Sequence, residues 1–202
     1  MSGSQSLEEI YSAEWFAHHA DLREGYHRVA DAILQIVDPE EKLVTAFDVG
    51  CGAAFVMEKL AKEHLGVRGF DGSAACLTVA PTHLHDRISI VDFRTVDLKT
   101  MGHAELVVCL EVAEHMPAEF AGRLVEILSE ITTRFLVFSA APPGQGGHDH
   151  INEQPMSYWL DRFEPRGLIF AGVKTAMLRS RLVDVANMPW FAKTTTVLEK
   201  RP

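Results

Sequence analysis

The chain has 202 residues, and its 28 acidic and 19 basic residues give a formal net charge of −9. This length suits one sizeable core, because domains usually span roughly 100–200 residues, and we expect a single domain over residues 1–202. The acidic balance argues against a protein that follows a phosphate backbone by bulk attraction. The three cysteines form no C-x-x-C pair, so neither a disulfide framework nor a thiolate zinc site is predicted.

The segments that could direct the chain to a membrane are missing from the sequence. Met1–Ser6 is polar and lacks the basic start and apolar run of a signal peptide. The longest apolar runs, such as 106–110 and 135–137, are far shorter than the ~20 residues that cross a bilayer. Unpaired cysteines suit a reducing compartment. We therefore expect a soluble, cytoplasmic protein with no membrane partner.

The first part of the chain shows helical periodicity followed by a strand. Apolar residues such as Tyr26, Val29 and Ile33 recur at spacings of three and four, which predicts an amphipathic helix over 22–37. Residues 1–40 are therefore expected to form an N-terminal helical region. A β-rich run at 44–49 then leads through a glycine turn into a predicted helix.

Strand and helix patterns alternate from that point to the end of the chain. The sequence predicts helices at 54–65, 73–80, 118–132 and 155–166, and strands at 67–70, within 88–96, at 106–110, 135–139, 168–174 and 190–199. Such alternation implies parallel pairing through right-handed crossovers, hence an α/β fold with an open sheet and helices on both faces. The last strand is expected to be antiparallel and hairpin-like with 168–174.

The turn Asp48-Val49-Gly50-Cys51-Gly52 follows the first predicted strand. Glycines leave room where a backbone approaches a ligand, although a Gly-x-Gly turn also serves dinucleotides or simply a tight connection. A full dinucleotide fingerprint is absent. The carboxylate of Asp48 suits a cationic or amine-bearing ligand better than a pyrophosphate.

Two further aspartates follow the next predicted strands. Asp71, in Gly69-Phe-Asp-Gly-Ser73, stands about twenty residues beyond the glycine turn, where a carboxylate can accept both hydrogen bonds of a ribose diol. Asp97, in Val96-Asp-Leu98, offers a carboxylate to an adenine amino group, although a solvated loop aspartate is the alternative. Ligands of open α/β sheets bind outside the carboxyl ends of the strands, so these residues predict a nucleoside site.

With these motifs the chain resembles the class I S-adenosylmethionine-dependent methyltransferase superfamily. The resemblance covers nearly the whole chain and rests on 47–52, 69–73 and 104–117. It implies a Rossmann-like fold whose sheet has seven mostly parallel strands and a reversed last strand. The family often has glycine where this chain has Ala54, so packing against the donor could differ there.

The resemblance also implies roles for individual residues. The donor S-adenosylmethionine would have its methionine portion beside Asp48, Gly50, Cys51 and Gly52, its ribose beside Asp71 and Gly72, its adenine beside Asp97 and Leu98, and its sulfonium beside Leu110 and Glu111. Tyr11 resembles the lid tyrosine of related enzymes. A surface aromatic residue that packs a terminal helix is the alternative for Tyr11.

A second constellation follows the fourth and fifth predicted strands. Glu111-x-x-Glu114-His115 and Gly-Gly-His148-Asp-His150 should converge, because both segments leave the carboxyl edges of adjacent strands. The pattern is similar to that of metal-dependent ubiquinone-biosynthesis O-methyltransferases and small-RNA 3′-terminal 2′-O-methyltransferases. That resemblance implies a divalent metal, Mg²⁺ or similar, which would acidify a substrate hydroxyl. Its ligands would be Glu111, Glu114, His115 and His150.

In an alternative, metal-free mechanism, one of the same histidines acts as a general base. One imidazole of His150, His115 or His148 could take the proton of the acceptor during methyl transfer, with His150 the first choice. In a third reading, these histidines only pack the loops and line a polar pocket.

The segment 148–167 also resembles bacterial methyltransferases of glycan and natural-product pathways. We therefore predict methyl transfer to an oxygen of a small-molecule acceptor, a sugar or natural-product metabolite, without a nucleic-acid partner. The alternatives are an RNA 3′-terminal 2′-O-methyltransferase and a non-catalytic nucleoside-binding module. The sequence leaves open whether the protein is a monomer or a homodimer.

Overall fold

The computed structural model describes residues 7–40, 42–63, 65–185 and 187–201. The polar segment Met1–Ser6, which entered the localisation argument, lies outside the described residues. Across these four ranges, no helix has both the length and the apolar character that a membrane crossing requires.

Helices and strands alternate along the described ranges. In chain order they are α1 (Leu7–Ile10), α2 (Ala13–His18), α3 (Arg23–Val37), β1 (Thr45–Val49), α4 (Phe55–Lys62), β2 (Gly66–Asp71), β3 (Ile88–Ile90), β4 (Ala104–Leu110), α5 (Ala121–Ile131), β5 (Thr132–Ser139), α6 (Met156–Phe163), β6 (Leu168–Phe170), α7 (Gly172–Leu182), α8 (Phe191–Thr194) and β7 (Thr196–Lys200). Short 3₁₀ turns lie at Ala20–Leu22, Ala74–Thr78, Thr82–Arg87, Leu98–Thr100, Ala113–His115, Ala118–Phe120 and Glu164–Arg166.

The strands form one seven-stranded sheet in the order β3-β2-β1-β4-β5-β7-β6. Neighbours from β3 to β5 pair in parallel, whereas β7 is antiparallel to both β5 and β6. The predicted Rossmann-like α/β fold with a reversed last strand is confirmed. The strand order reverses between β1 and β4, and ligands of such sheets bind at this switch point, beyond the carboxyl ends.

Helices cover the sheet on both faces, as the alternation of its strand side chains requires. Along β4, Leu106 and Val108 join one core with α3, α4 and α7, while Val107 and Cys109 join the other core with α5 and α6. Each fully buried aliphatic side chain contributes roughly 1.5–3 kcal/mol. These two cores hold the strand ends in fixed positions, and the candidate site is built on those ends.

The predicted strand 168–174 is wrong in its second half. β6 ends at Phe170, and the chain enters α7, so the connection to β7 is a helix and not a hairpin. Helix α7 buries Leu178 and Leu182, which lie four residues apart, while Val173 is 76% exposed. Because apolar residues lie on both the buried and the exposed side of this helix, the sequence shows no helical periodicity there.

Two other predicted elements are shorter or different. The helix predicted over 73–80 is only the 3₁₀ turn Ala74–Thr78, because Pro81 disfavours a helical residue before it and too few residues remain for an α-helix. The strand predicted over 190–199 begins only at Thr196, because α8 occupies the residues before it. The β-branched residues at 194–197 are typical of a strand, so the sequence did not show where the helix ends and the strand begins.

Candidate active site

Two adjoining cavities lie at the carboxyl edge of the sheet, around the ends of β1, β2 and β4. The first, of about 600 Å³, contains Asp48 and is called the Asp48 cavity; the second, of about 620 Å³, contains Asp71 and is called the Asp71 cavity. Cys51 and Leu110 line the Asp48 cavity, and Gly72 lines the Asp71 cavity. Both cavities are lined by Trp15, Phe16, Gly50, Gly52 and Glu111.

The glycine turn has the left-handed backbone that its sequence suggests. Gly50 and Gly52 have φ values of +73° and +50°. A Cβ atom at Gly50 would lie 2.3 Å from Val112 Cγ2, so the missing side chain makes room for Val112. Ala54 also has a positive φ, +58°, which suits the glycine often found there in the family that the sequence resembles.

Asp48 and Asp71 present carboxyl groups from the ends of neighbouring strands. Burial raises the pKa of Asp48 to about 7, although the Met57 N–H donates to its Oδ2 over 3.2 Å and opposes that shift. Asp71 accepts hydrogen bonds from the N–H groups of Gly52 and Ser73 over 2.8 and 3.0 Å. Burial raises the Asp71 pKa, and these amides act in the other direction. Each Asp71 oxygen keeps a lone pair for a ligand hydroxyl.

Asp97 and Leu98 lie away from this cleft. Strand β3 ends at Ile90, seven residues before Asp97, and Asp97 instead accepts the Lys99 N–H over 3.0 Å at the start of a 3₁₀ turn. Neither Asp97 nor Leu98 lines the two cavities, whereas Phe93 lines the Asp71 cavity. The pattern at 88–96 did not show where the strand stops, and the adenine contact of Asp97 and Leu98 stays a prediction.

The N-terminal segment covers the cleft and contributes aromatic side chains. Ser12 caps α2 by accepting the Trp15 N–H over 3.3 Å, and Ser73 Oγ donates to the Tyr11 carbonyl over 2.9 Å. Trp15 and Phe16 follow Tyr11 closely in the chain, but the sequence did not predict them as site residues. Tyr26, on the buried side of α3, lines the Asp48 cavity and was also missed, because its helical spacing is equally typical of a core residue.

Tyr11 lines the Asp71 cavity and lies among aromatic and acidic groups. Its ring meets the His115 ring edge-on, with centroids 5.5 Å apart. The hydroxyl is buried and makes no hydrogen bond of ordinary geometry. Burial and the nearby charges of Asp149 and Glu114 raise the Tyr11 pKa far above its ordinary value. The hydroxyl therefore stays protonated, and its role as a lid residue remains a prediction.

Glu114, His115 and His150 form a compact cluster beside the Asp71 cavity. One potential ligand atom from each lies within 4.8 Å of the other two. Glu114 is fully buried, and neither carboxyl oxygen makes a hydrogen bond of ordinary geometry within the described part of the chain. Burial and the charge of Glu111 raise the Glu114 pKa to about 8. A buried carboxyl group without partners is costly, so this cluster is suited to a cation or a proton donor.

The two imidazoles of the cluster are each held at one nitrogen. His115 Nδ1 pairs with the Asp149 carbonyl over 3.1 Å, and His150 Nδ1 pairs with the Glu153 carboxylate over 3.1 Å. Both acceptors require the hydrogen on Nδ1, which leaves each Nε2 with a lone pair. Burial lowers the His115 pKa to about 4, so that ring is neutral near pH 7.

Glu111 and His148 stand outside this cluster. The Glu111 carboxylate accepts hydrogen bonds from Gln145 Nε2 over 2.8 Å and from Thr194 Oγ1 over 3.3 Å, and its backbone φ is +54°. His148 is exposed, and its Nε2 pairs with the Ile10 carbonyl over 3.0 Å. Of the four predicted metal ligands, the structure therefore brings three together, whereas the fourth, Glu111, is bonded to the loop after β5 and to helix α8.

Comparison with known proteins agrees with this architecture. Residues 47–132 match the family described as Methyltransferase domain. The ubiquinone biosynthesis O-methyltransferase of Pseudomonas paraeruginosa is 36% identical over 116 residues, covering 54% of this chain and 50% of that protein. The chain thus spans about half the length of the curated relatives it matches.

Solved structures show the same fold at low sequence identity. An S-adenosylmethionine-bound amino pentose methyltransferase from Micromonospora echinaspora has a TM-score of 0.68 at 16% identity, covering 92% of this chain and 95% of that chain. The magnesium protoporphyrin IX methyltransferase of Synechocystis, with bound S-adenosylhomocysteine, has a TM-score of 0.61 at 18% identity and covers 89% and 84%. Residues 47–132 are thus similar to a methyltransferase domain, and the whole chain has the fold of S-adenosylmethionine-dependent methyltransferases of known structure.

Proposed function

We propose that this protein transfers the methyl group of S-adenosylmethionine to an oxygen of a small polar acceptor. The proposal rests on two groups of residues, a ligand cleft and a cluster of titratable side chains, that adjoin at one edge of the sheet. Asp48, the glycine turn and Asp71 line two adjoining cavities, and a cluster of one carboxyl group and two imidazoles lies beside them. A nucleoside-binding module without turnover has no evident use for that second part.

The donor half of the cleft supplies complementary groups for each end of S-adenosylmethionine. Asp48 would receive the ammonium group of the methionine portion, because a cation favours the ionised form of this buried carboxyl group. Asp71 would accept the ribose hydroxyls with its remaining lone pairs. Phe93 offers an apolar surface for the adenine in the same cavity.

His150 is the proposed proton acceptor. Its Nδ1 is oriented by Glu153, so Nε2 would be the atom that takes the acceptor's hydroxyl proton as the oxygen–methyl bond forms. Methyl transfer is an in-line displacement, so the protein's main contribution is the alignment of donor and acceptor. The proton leaves the acceptor oxygen for the imidazole, and the bond to sulfur breaks on the donor.

The same cluster fits a divalent metal. Glu114 has two unpartnered oxygens, and His115 and His150 each keep one nitrogen lone pair. These three residues would hold the ion, and Glu153 would orient His150 as carboxylates often do for ligating histidines. When bound, the metal would acidify an acceptor hydroxyl. His150 would then serve as a ligand and not as a base.

The lining of the cleft favours a small acceptor over RNA. Among the described residues that line the two cavities, none is lysine or arginine, the side chains that most often contact phosphates. This supports the small-molecule proposal over the RNA 3′-terminal alternative. The similar proteins named as an amino pentose methyltransferase and a ubiquinone biosynthesis O-methyltransferase guide the choice of an acceptor panel.

The first test is calorimetry with S-adenosylmethionine, followed by acceptor screening with detection of S-adenosylhomocysteine. We expect saturable donor binding and product formation with a hydroxylated acceptor. A folded protein that does not bind the donor would refute the proposal. Titration with Mg²⁺, Mn²⁺ and Zn²⁺, in wild type and Glu114→Gln, tests the metal site. Equal binding by both, or full activity after chelation, would exclude it.

A further inference from the structure

The loop after β5, residues 140–155, has an exposed half and a fixed half. Residues 143–148 are exposed, so burial does not hold them in place. The later half is fixed to the 3₁₀ turn after β4, because the N–H groups of Ile151 and Asn152 donate to the Glu114 carbonyl. The position of the exposed half therefore depends on hydrogen bonds to groups that are themselves fixed.

Glu153 connects the two halves of this loop. Its Oε2 accepts the Gly144 N–H over 2.7 Å, and its Oε1 accepts the Gly146 N–H over 2.6 Å. Both glycines have left-handed backbones, with φ values of +88° and +70°, and turns of this kind direct backbone N–H groups toward an anion. The Glu153 side chain is only 17% exposed, so water competes little for these bonds. One carboxylate thus anchors the exposed half of the loop to the fixed half.

The same carboxylate also holds His150. The oxygen that accepts the Gly146 N–H pairs with His150 Nδ1 over 3.1 Å. The imidazole in turn packs against the exposed half, because a Cβ atom at Gly147 would overlap its ring. A displacement of the exposed half would therefore move the imidazole as well.

Gln145 shows that the exposed half borders the cleft. It lies between the two anchored glycines, and its Nε2 donates to the Glu111 carboxylate over 2.8 Å. Glu111 lines both cavities. The loop thus stands where an acceptor would approach a donor bound in the cleft.

We propose that Glu153 is a positioning residue that fixes His150 and the exposed half of the loop as one acceptor-binding unit. This inference rests on the proposed function, and it extends the role of Glu153 from one imidazole to the whole loop. Glu153 acts through His150 on the chemical step and through residues 144–147 on acceptor binding. The inference holds whether His150 is a base or a metal ligand, because both roles require a fixed imidazole.

Glu153→Gln is the first test of this role. The amide has one oxygen that can accept hydrogen bonds, and its nitrogen cannot accept, so at least one of the three N–H groups loses its partner. We expect kcat to fall by about 10–100-fold and the acceptor KM to rise, while the donor affinity measured by calorimetry is unchanged. Glu153→Asp keeps both oxygens on a shorter side chain and should restore part of kcat.

A double-mutant cycle separates the two effects. In the His150→Ala background, Glu153→Gln should lower kcat little further, because the imidazole through which it acts is gone. It should still raise the acceptor KM, because the loop has lost its anchor. A role in overall folding would instead reduce kcat in both backgrounds and lower the donor affinity as well.

Amide hydrogen exchange, followed by NMR spectroscopy on the full chain without an acceptor, tests the anchoring directly. The two glycine amides should be protected in the wild type and exchange rapidly in Glu153→Gln. Asp38→Asn is the matched control, because Asp38 closes the loop before β1 by accepting the Lys42 and Leu43 N–H groups. This control should increase exchange only in its own loop and leave kcat and KM unchanged.

The outcomes distinguish this inference from the proposed function. Unprotected glycine amides in the wild type would show that Glu153 does not anchor the loop. Wild-type kcat and KM in Glu153→Gln, or an undiminished kcat effect in the His150→Ala background, would show that the anchoring does not serve the reaction. Each of these results would overturn the inference and leave the methyltransferase proposal standing. Failure of the folded wild type to bind the donor would instead refute the proposed function, and the inference with it.

Discussion

The proposed donor side and the proposed acceptor side of the cleft are built differently. The proposed donor residues Asp48 and Asp71 lie at the ends of strands packed between the two cores, and backbone amides donate hydrogen bonds to their carboxyl groups. The acceptor-side cluster depends on the 3₁₀ turn Ala113–His115 and on the loop after β5. That loop is fixed to the turn by the Ile151 and Asn152 N–H groups, which donate to the Glu114 carbonyl over 3.0 and 2.9 Å.

This difference explains why one half of the site is general and the other specific. Strand ends in a packed sheet can move little, so they suit the proposed donor, which is the same whatever the acceptor. Loops accept changes of sequence and length at low cost and position the groups that meet varied acceptors. Mutations on the acceptor side should therefore change kcat, and mutations on the donor side should change the affinity for the donor.

The largest expected effect is on the acceptor side. His150→Ala should lower kcat by about 10²–10⁴-fold, because it removes the proposed proton acceptor, while donor affinity measured by calorimetry is retained. His103→Ala, at an exposed histidine before β4, is the control. A matching loss of donor affinity in His150→Ala would contradict the separation of the two sides.

On the donor side, Gly50→Ala should weaken S-adenosylmethionine binding by about 100-fold or more, through overpacking against Val112 and a left-handed backbone. Gly102→Ala is the matched control, because Gly102 has a φ of +78° and a Cβ there would meet no atom closer than 3.9 Å. Calorimetry measures affinity, and circular dichroism checks the fold. Equal loss of affinity in both variants would point to backbone strain alone.

A glycine pair tests how the acceptor-side loop supports His150. A Cβ atom at Gly147 would lie 2.3 Å from His150 Nε2, whereas one at Gly146 would have no atom within 4 Å. Gly147→Ala should therefore displace the imidazole and reduce kcat by roughly tenfold or more. Gly146→Ala should cost only the backbone strain of its positive φ. Similar kcat values for the two variants would show that His150 does not act from the position described here.

The smallest effect concerns the scaffold of the donor side. Burial acts to raise the Glu58 pKa, but hydrogen bonds from Arg23, His27 and Lys62 outweigh it and lower the pKa to about 2. This ion pair joins α4 to α3, and Glu58→Gln should reduce the free energy of unfolding by about 2 kcal/mol near pH 7.

The pH dependence of that loss follows from the direction of the shift. The folded pKa lies below the ordinary value of 4.5, so the ionised Glu58 stabilises the protein fully above that pH. The difference between wild type and Glu58→Gln should shrink as the pH falls from 4.5 to about 2. Thermal unfolding at several pH values measures it, with Glu63→Gln, an exposed partner of Lys59, as the control. A difference independent of pH would show that packing, and not charge, is lost.

Much of the fold could be predicted because its signals are local. The helical spacing of α3 and the apolar runs of β1, β4 and β5 gave these elements within a few residues. The alternation of elements implied the parallel sheet. Helices α7 and α8 could not be predicted, because α7 mixes exposed and buried apolar residues and β-branched residues surround the end of α8.

The sequence by itself determined the α/β fold, the carboxyl edge as the site, and the glycine turn with Asp48 and Asp71 as strand-end residues. Only the tertiary structure decided which residues meet beyond these motifs. It brought Glu114 to His115 and His150, left Glu111 out of that cluster, and placed Phe93, Trp15 and Phe16 in the lining of the cleft. Strand ends are fixed by local pattern and topology, whereas contacts between distant loops depend on packing that no local pattern encodes.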